Sequence, residues 1–173
     1  MNVHDFEGLA KKLKGLNDEI VTRVLRNIVE GLGESLLNEI TDEIGEQDIV
    51  DTGTMWNSFE RGDKDNMWEW DIDRNSITLE VGSGIGKGNN DPNNWNYPRL
   101  VNEGYTIHKA HFVPGVWENG RFEYDSKSDK GFMARPRSFI GRHYFDIALR
   151  NFEGEMNELI LEKLEKELER MLS

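Results

Sequence analysis

"MWEWDIDRNSITLEV", residues Met67–Val81, is the stretch at which the chain changes its periodicity. Trp68, Trp70 and Ile72 alternate with Glu69 and Asp71, and after four turn-forming residues Ile77, Leu79 and Val81 alternate with Thr78 and Glu80. A repeat of two places successive side chains on opposite faces, so each half reads as a strand with one apolar face. Asp73-Arg74-Asn75-Ser76 separates the halves, and the whole predicts a β-hairpin with one buried side. On this reading Glu69, Asp71, Asp73 and Glu80 form the solvated face of the hairpin.

The flanks have a different period. Leu16, Ile20, Val24, Ile28, Leu32, Leu36, Ile40 and Ile44 recur at helical spacing, widened by Val21, Leu25, Val29 and Leu37. This predicts one amphipathic helix from about Leu9 to Ile44, or two joined near Gly31 or Gly33. A continuous Leu16–Ile44 helix, at ~1.5 Å per residue, runs ~40 Å. Such a helix outgrows a small domain and is expected to project or to lie along a neighbour. From Pro136 to the C-terminus a second amphipathic helix is predicted, with Phe139, Ile140, Tyr144, Ile147, Ala148, Phe152, Met156, Leu159, Leu164 and Leu168 on or beside one face. Its last third, ELILEKLEKELERML, carries an i,i+4 pair from Glu162 to Lys166. Between the hairpin and this helix, Tyr97–Gly104 reads as a short helix capped by Gly104. Glu118-Asn119-Gly120 reads as a tight turn between Val113–Trp117 and Arg121–Asp125. Thr54–Phe59 reads as a further short helical piece. The expected class is α+β: a small antiparallel β-sheet packed with long N-terminal and C-terminal amphipathic helices, in one domain over residues 1–173.

Composition limits the function classes. The 173 residues carry 21 Lys and Arg against 33 Asp and Glu, a formal charge of −12. With basic residues dispersed along the sequence, this argues against a nucleic-acid-binding surface. The chain has no cysteine, which removes disulfides and thiolate metal sites. The start, MNVHDFEGLA, lacks a basic region followed by an apolar run, and no apolar stretch approaches the ~18 residues of a membrane span. The expectation is a soluble protein made and used without export, with no membrane partner.

The loop after the hairpin, "VGSGIGKGNN" (Val81–Asn90), raises the question of phosphate binding. A phosphate loop needs Gly, four residues, then Gly-Lys-Ser/Thr, followed by a helix. Here Val81 stands at the first glycine position, Gly88 replaces the hydroxyl, and Asn89-Asn90-Asp91-Pro92-Asn93-Asn94 follows. The segment reads as a loop without a nucleotide site. His108 and His111 have no third ligand in a persuasive position. No Ser lies in a nucleophile elbow. No catalytic residue, cofactor or metal is therefore expected.

Three stretches, taken in order, carry a resemblance. They are "VDTGTMWNSF" (Val50–Phe59), "ITLEVGSGIGKGNNDPNNWNYPRLVNEGY" (Ile77–Tyr105) and "MARPRSFIGRHY" (Met133–Tyr144). Together they resemble the bacteriophage tail-completion or neck protein family, minor tail components that close the head-proximal end of a tail tube and join it to the head. The chain departs from the family pattern at Asn102, Glu103 and Tyr105, and at Arg137-Ser138 between Pro136 and Phe139. The resemblance implies a non-enzymatic virion protein forming a homo-oligomeric ring, a hexamer, located in the tail or neck and in the host cytoplasm during assembly. Its implied partners are other copies of itself, the tail tube protein and a head-completion or adaptor protein, with genomic DNA only passing through the lumen. An acidic wall suits that passage, because each cationic contact to phosphate would retard it.

The candidate assembly interface is Gly82, Gly84, Gly86, Lys87 and Trp95 in the loop, with Arg135, Pro136 and Arg137. Pro136 is expected at the first position of the last helix. Arg135 and Arg137, unfavourable beside a helix N-terminus, are expected to pair with carboxylates within the chain or across a subunit boundary. The alternatives are a head-completion protein on the portal and, from another class, an intracellular protein-binding module such as an antidote or assembly chaperone.

Overall fold

A computed structural model of the chain describes residues 18–50, 53–73, 76–86 and 96–172. Contacts along the chain sort into two compact units, Met1–Trp95 with Tyr144–Ser173, and Asn96–His143. The class is α+β, as expected, with helices and small antiparallel sheets.

The first unit is built on two helices of 29 residues each, α1 (Asp18–Glu46) and the last helix (Tyr144–Leu172). They run antiparallel: Asn27 Nδ2 donates to Glu167 Oε2 at 2.9 Å, and Asn151 Nδ2 donates to Glu39 Oε1 at 2.9 Å. Each helix extends about 44 Å, and each covers the other's apolar stripe, which is how a helix longer than a small core is accommodated. Val24, Ile28 and Leu164 are buried at one end, with Ile20, Leu32 and Leu168 packed against them. Toward the other end lie Leu37, Ile40, Ile44, Tyr144 and Ala148, joined by Met55 and Phe59. The Phe59 and Tyr144 rings meet edge to face at 6.2 Å. Of the positions that recur at helical spacing, Val24, Ile28, Ile40 and Ile44 are removed from water, Ile20, Leu32 and Leu36 are half-buried, and Leu16 lies outside the described residues; full burial of a large aliphatic side chain is worth roughly 1.5–3 kcal/mol.

α1 is continuous through Gly31 and Gly33, so the option of two joined helices is set aside. These glycines serve close approach instead. A methyl on Gly33 would lie 2.7 Å from Leu79 Cδ2 and 3.2 Å from Trp68 Cη2 and Val81 Cγ1. Those three residues belong to the hairpin β1 (Asn66–Ile72) and β2 (Ile77–Ser83), which seats its apolar face on α1 at this point. The register pairs Trp68 with Val81 and Trp70 with Leu79, while Glu69 faces Glu80 and Asp71 faces Thr78 on the outer side. Arg61 lies over the Trp68 ring at 4.2 Å and Arg26 over Trp70 at 5.1 Å, roofing the half-buried indoles. The short helix α2 (Thr54–Asn57) joins α1 to the hairpin and brings Ser58, fully buried, to donate to Met55 O at 2.7 Å.

The second unit begins with α3 (Tyr97–Glu103), whose N-cap Asn96 accepts from the Arg99 N–H. Gly104 ends it at φ 80°, as the sequence predicts, and opens β3 (Gly104–Ile107). A side chain on Gly104 would fall 2.5 Å from Phe139 O, so this position needs glycine for both its angle and its space. β4 (His111–Glu118) and β5 (Arg121–Tyr124) are joined by Asn119-Gly120, with φ of 49° and 80°. Positive φ at both central residues is the signature of the expected tight turn. β6 (Gly131–Ala134) pairs with the other edge of β4, giving the order β5-β4-β6, and β7 (Arg137–Ile140) pairs antiparallel with β3.

The last helix, now α4, begins at Tyr144, not at Pro136. Residues 137–140 are a strand, because Tyr105, Thr106 and Ile107 offer Phe139, Ser138 and Arg137 a ladder that no local signal announces. Thr106 Oγ1 and Ser138 Oγ lie 3.0 Å apart, and the Tyr105 and Phe139 rings stack at 4.4 Å. Among the described residues, no helix is long and apolar enough to cross a membrane.

Candidate assembly interface

The loop residues divide. Gly82 lies within β2 opposite Met67, is buried, and its carbonyl accepts from Asn66 Nδ2 at 3.1 Å. Gly84 donates its N–H to Asp65 O at 2.7 Å, closing the base of the hairpin. Gly86 takes φ 80° in the turn that follows. The three glycines therefore have backbone roles at the end of the hairpin. Lys87 and Trp95 lie outside the described residues.

Arg135, Pro136 and Arg137 stand in the other unit, between β6 and β7. Pro136 is exposed in the two-residue link between strands, which corrects its expected place at a helix start: it sets the corner at which the chain passes from β6, paired with β4, to β7, paired with β3. The expected repulsion with a helix dipole falls away with it. Arg137 lies over the Phe139 ring at 4.4 Å. Arg135, exposed, makes no ion pair among the described residues, and the same holds for Lys109 and Arg142. The Arg142 and His143 N–H groups donate to Val101 O and Asn102 O, at 2.8 and 3.0 Å, which draws 99–109 and 135–142 together.

That folding gathers charge. Residues 96–143 hold eight Lys and Arg against five Asp and Glu, a formal +3, while the rest of the chain holds 13 against 28, a formal −15. Within the +3, residues 96–110 and 135–143 have five basic groups and one acid, Glu103, which Arg99 holds at 2.9 Å. In the first unit the opposite pattern is seen on α4, where Glu155, Glu158, Glu162, Glu165 and Glu169 are all exposed. Their spacing of three and four residues puts them on one stripe, and none makes an ion pair among the described residues, so the pair expected from Glu162 to Lys166 is not formed.

Exposed apolar groups gather in the same basic unit. Of nine large hydrophobic side chains exposed among the described residues, six lie in 96–143: Phe112, Trp117, Tyr124, Phe132, Met133 and Ile140. Trp117, Phe122 and Phe132 form a cluster with centroids 4.9–6.4 Å apart on one face of the β5-β4-β6 sheet. Ile140 is 92% exposed. Sequence reasoning left these aromatics unassigned. The signal was the Asn119-Gly120 turn, which once accepted puts Trp117 opposite Phe122, but the third ring comes from β6, whose pairing is non-local.

The first unit has a cleft of about 220 Å³ lined by Glu34, Leu37, Asn38, Thr41, Trp56, Phe59, Glu60 and Arg61. Its charged groups are already engaged. Arg61 binds Glu30 and Glu34, each at 2.5 Å, and Trp56 Nε1 donates to Glu60 at 3.2 Å. The hydrogen bond that Arg61 donates to Glu30 is the main cause of its raised pKa; burial opposes it, and the bond to Glu34 and the charges of both carboxylates add to the rise. The cleft is thus a structural joint between α1 and the 54–61 segment.

No family model matches the chain, and no solved structure matches it. Its relatives include two proteins of Bacillus subtilis (strain 168). Phage-like element PBSX protein XkdI is 26% identical over 145 residues, 83% of this chain and 83% of its own length. Uncharacterized protein YqbI is 32% identical over 145 residues, 80% of each chain. At that identity and coverage the chain belongs to the family of YqbI, and through XkdI it is a distant relative of a phage-element protein.

Proposed function

We propose that the chain is a structural protein of a phage-type particle, a tail-completion or neck subunit that joins the tail tube to the head as a homo-oligomeric ring. The observation that carries this reading is the ordered set of three motifs, Val50–Phe59, Ile77–Tyr105 and Met133–Tyr144, in a chain whose relative bears the name of a phage-like element. Two features support it. The uncovered aromatic and basic surface of 96–143 suits a subunit that meets other chains, and the net charge of −12 suits a lumen that DNA crosses without adhering. The partners on this reading are further copies of the chain, the tail tube protein and a head-completion or adaptor protein.

The test is electron microscopy of particles from a strain deleted for this gene beside the complemented strain. Full heads separated from tails, or tails of abnormal length, are the expected result, and which of the two appears identifies the step. Normal joined, infectious particles would overturn the reading and favour a binding module that acts outside the particle.

A further inference from the structure

We infer that the strand unit, 96–143, docks on the acidic stripe of α4 of a second copy of this chain. The contact would be head to tail, between two different surfaces. The basic side presents Arg135, Arg137 and Arg142, and between the last two in sequence Ile140, at the end of β7, is 92% exposed. Water around such a side chain is released when another surface covers it. The acidic side presents Glu158 and Glu162 at the centre of the five-carboxylate stripe. Neither set makes an ion pair among the described residues, so each retains its charge for a partner.

The choice of a second copy rests on charge complementarity. Each copy carries a net −12, so copies repel at long range, and the contact is favoured locally, where the five basic groups of 96–110 and 135–143 meet the carboxylate stripe of α4. A basic surface binding its own equivalent across a twofold axis would set arginine against arginine. A contact between unlike surfaces leaves one of each free on every added subunit, so it propagates, and it closes when the rotation permits. This deepens the ring proposal by naming its subunit contact, and it rests on that proposal only for closure. The contact is tested in purified full-length protein, so its failure is distinct from a failure of the particle phenotype.

Sedimentation of the wild-type chain is expected to show association that grows with concentration at about 0.1 M salt and is reduced at least about tenfold at about 1 M, where the screening length falls from about 10 Å to about 3 Å. R135E/R137E and E158K/E162K are each expected to weaken association at least about tenfold alone. An equimolar mixture of the two is expected to regain it, because each reversed surface then meets its reversed complement. Ile140→Ser is expected to weaken association about threefold or more; it alters an exposed side chain, so folding is not at risk. Circular dichroism of each variant matching wild type guards against unfolding as the cause.

A wild-type chain that stays monomeric up to about millimolar subunit concentration, where a contact with a Kd of up to about 1 mM registers, would overturn the inference. So would loss of association in the arginine variant that the mixture does not restore. Salt-sensitive binding of duplex DNA by 96–143 residues without self-association would overturn it in favour of a nucleic-acid surface.

Discussion

Gly33 and Gly154 lie in the two long helices of one unit, but only Gly33 is enclosed. A methyl on Gly33 would meet Leu79 Cδ2 at 2.7 Å and both Trp68 Cη2 and Val81 Cγ1 at 3.2 Å, whereas at Gly154 it would meet nothing within 4 Å. Replacing Gly by Ala in a helix interior gains about 1 kcal/mol in either place. The propensity gain therefore cancels in the comparison, and the difference between the variants isolates the packing cost at Gly33. Overpacking of a filled site costs about 1–3 kcal/mol. Leu79 can rotate away, but the Trp68 ring and the β-branched Val81 flank the same point, so relief at one contact leaves the other two. Gly154→Ala is expected to stabilise by about 1 kcal/mol, and Gly33→Ala to range from neutral to about 2 kcal/mol destabilising. In a chain of this length each kcal/mol moves Tm by about 2–4 °C. Gly33→Ala should accordingly melt between about 2 and about 12 °C below Gly154→Ala, followed by helical circular dichroism, and its tryptophan emission should shift as Trp68 is displaced. Equal Tm values with unchanged emission would refute the seating of the hairpin on α1.

Ile40→Ala, at a fully buried position of α1, is expected to cost about 2–5 kcal/mol in urea unfolding, while Leu161→Ala, 58% exposed on α4, should stay within about 0.5 kcal/mol of wild type. Gly120→Ala forces a side chain into φ 80° and is expected to cost about 1–2 kcal/mol, read as faster hydrogen exchange of the β4 and β5 amides with α1 and α4 unaffected. Arg61→Ala removes exposed ion pairs to Glu30 and Glu34 and the cation over Trp68; the expected loss is about 1 kcal/mol, smaller at high salt, and a loss that is insensitive to salt would refute the electrostatic account.

Several elements were legible because their causes are local. The hairpin follows from alternation on either side of a four-residue turn. The Asn119-Gly120 turn follows from residues that tolerate positive φ, and the end of α3 follows from Gly104. The helical spacing of the apolar residues, Val24, Ile28, Leu37, Ile40 and Ile44 among them, announced both the helix and its buried face. Pro136 misled for a physical reason. Proline suits the first turn of a helix and an exposed corner between strands equally, and Phe139, Ile140, Tyr144 and Ile147 fit a helical stripe as well as a strand followed by a helix. What decides between them is β3, whose Thr106 pairs with Ser138 across 32 positions.

The sequence by itself determined the presence and apolar faces of the two long helices, the hairpin between them, and the overall acidity, because each depends on residue type and short-range spacing. Only the tertiary structure decided where the charge and the exposed aromatics go. Basic residues that are scattered along the chain come together when β7 pairs with β3, and the Trp117, Phe122 and Phe132 rings meet when β6 pairs with β4. Those pairings join segments distant in sequence, and a surface made by such pairings has no local signature.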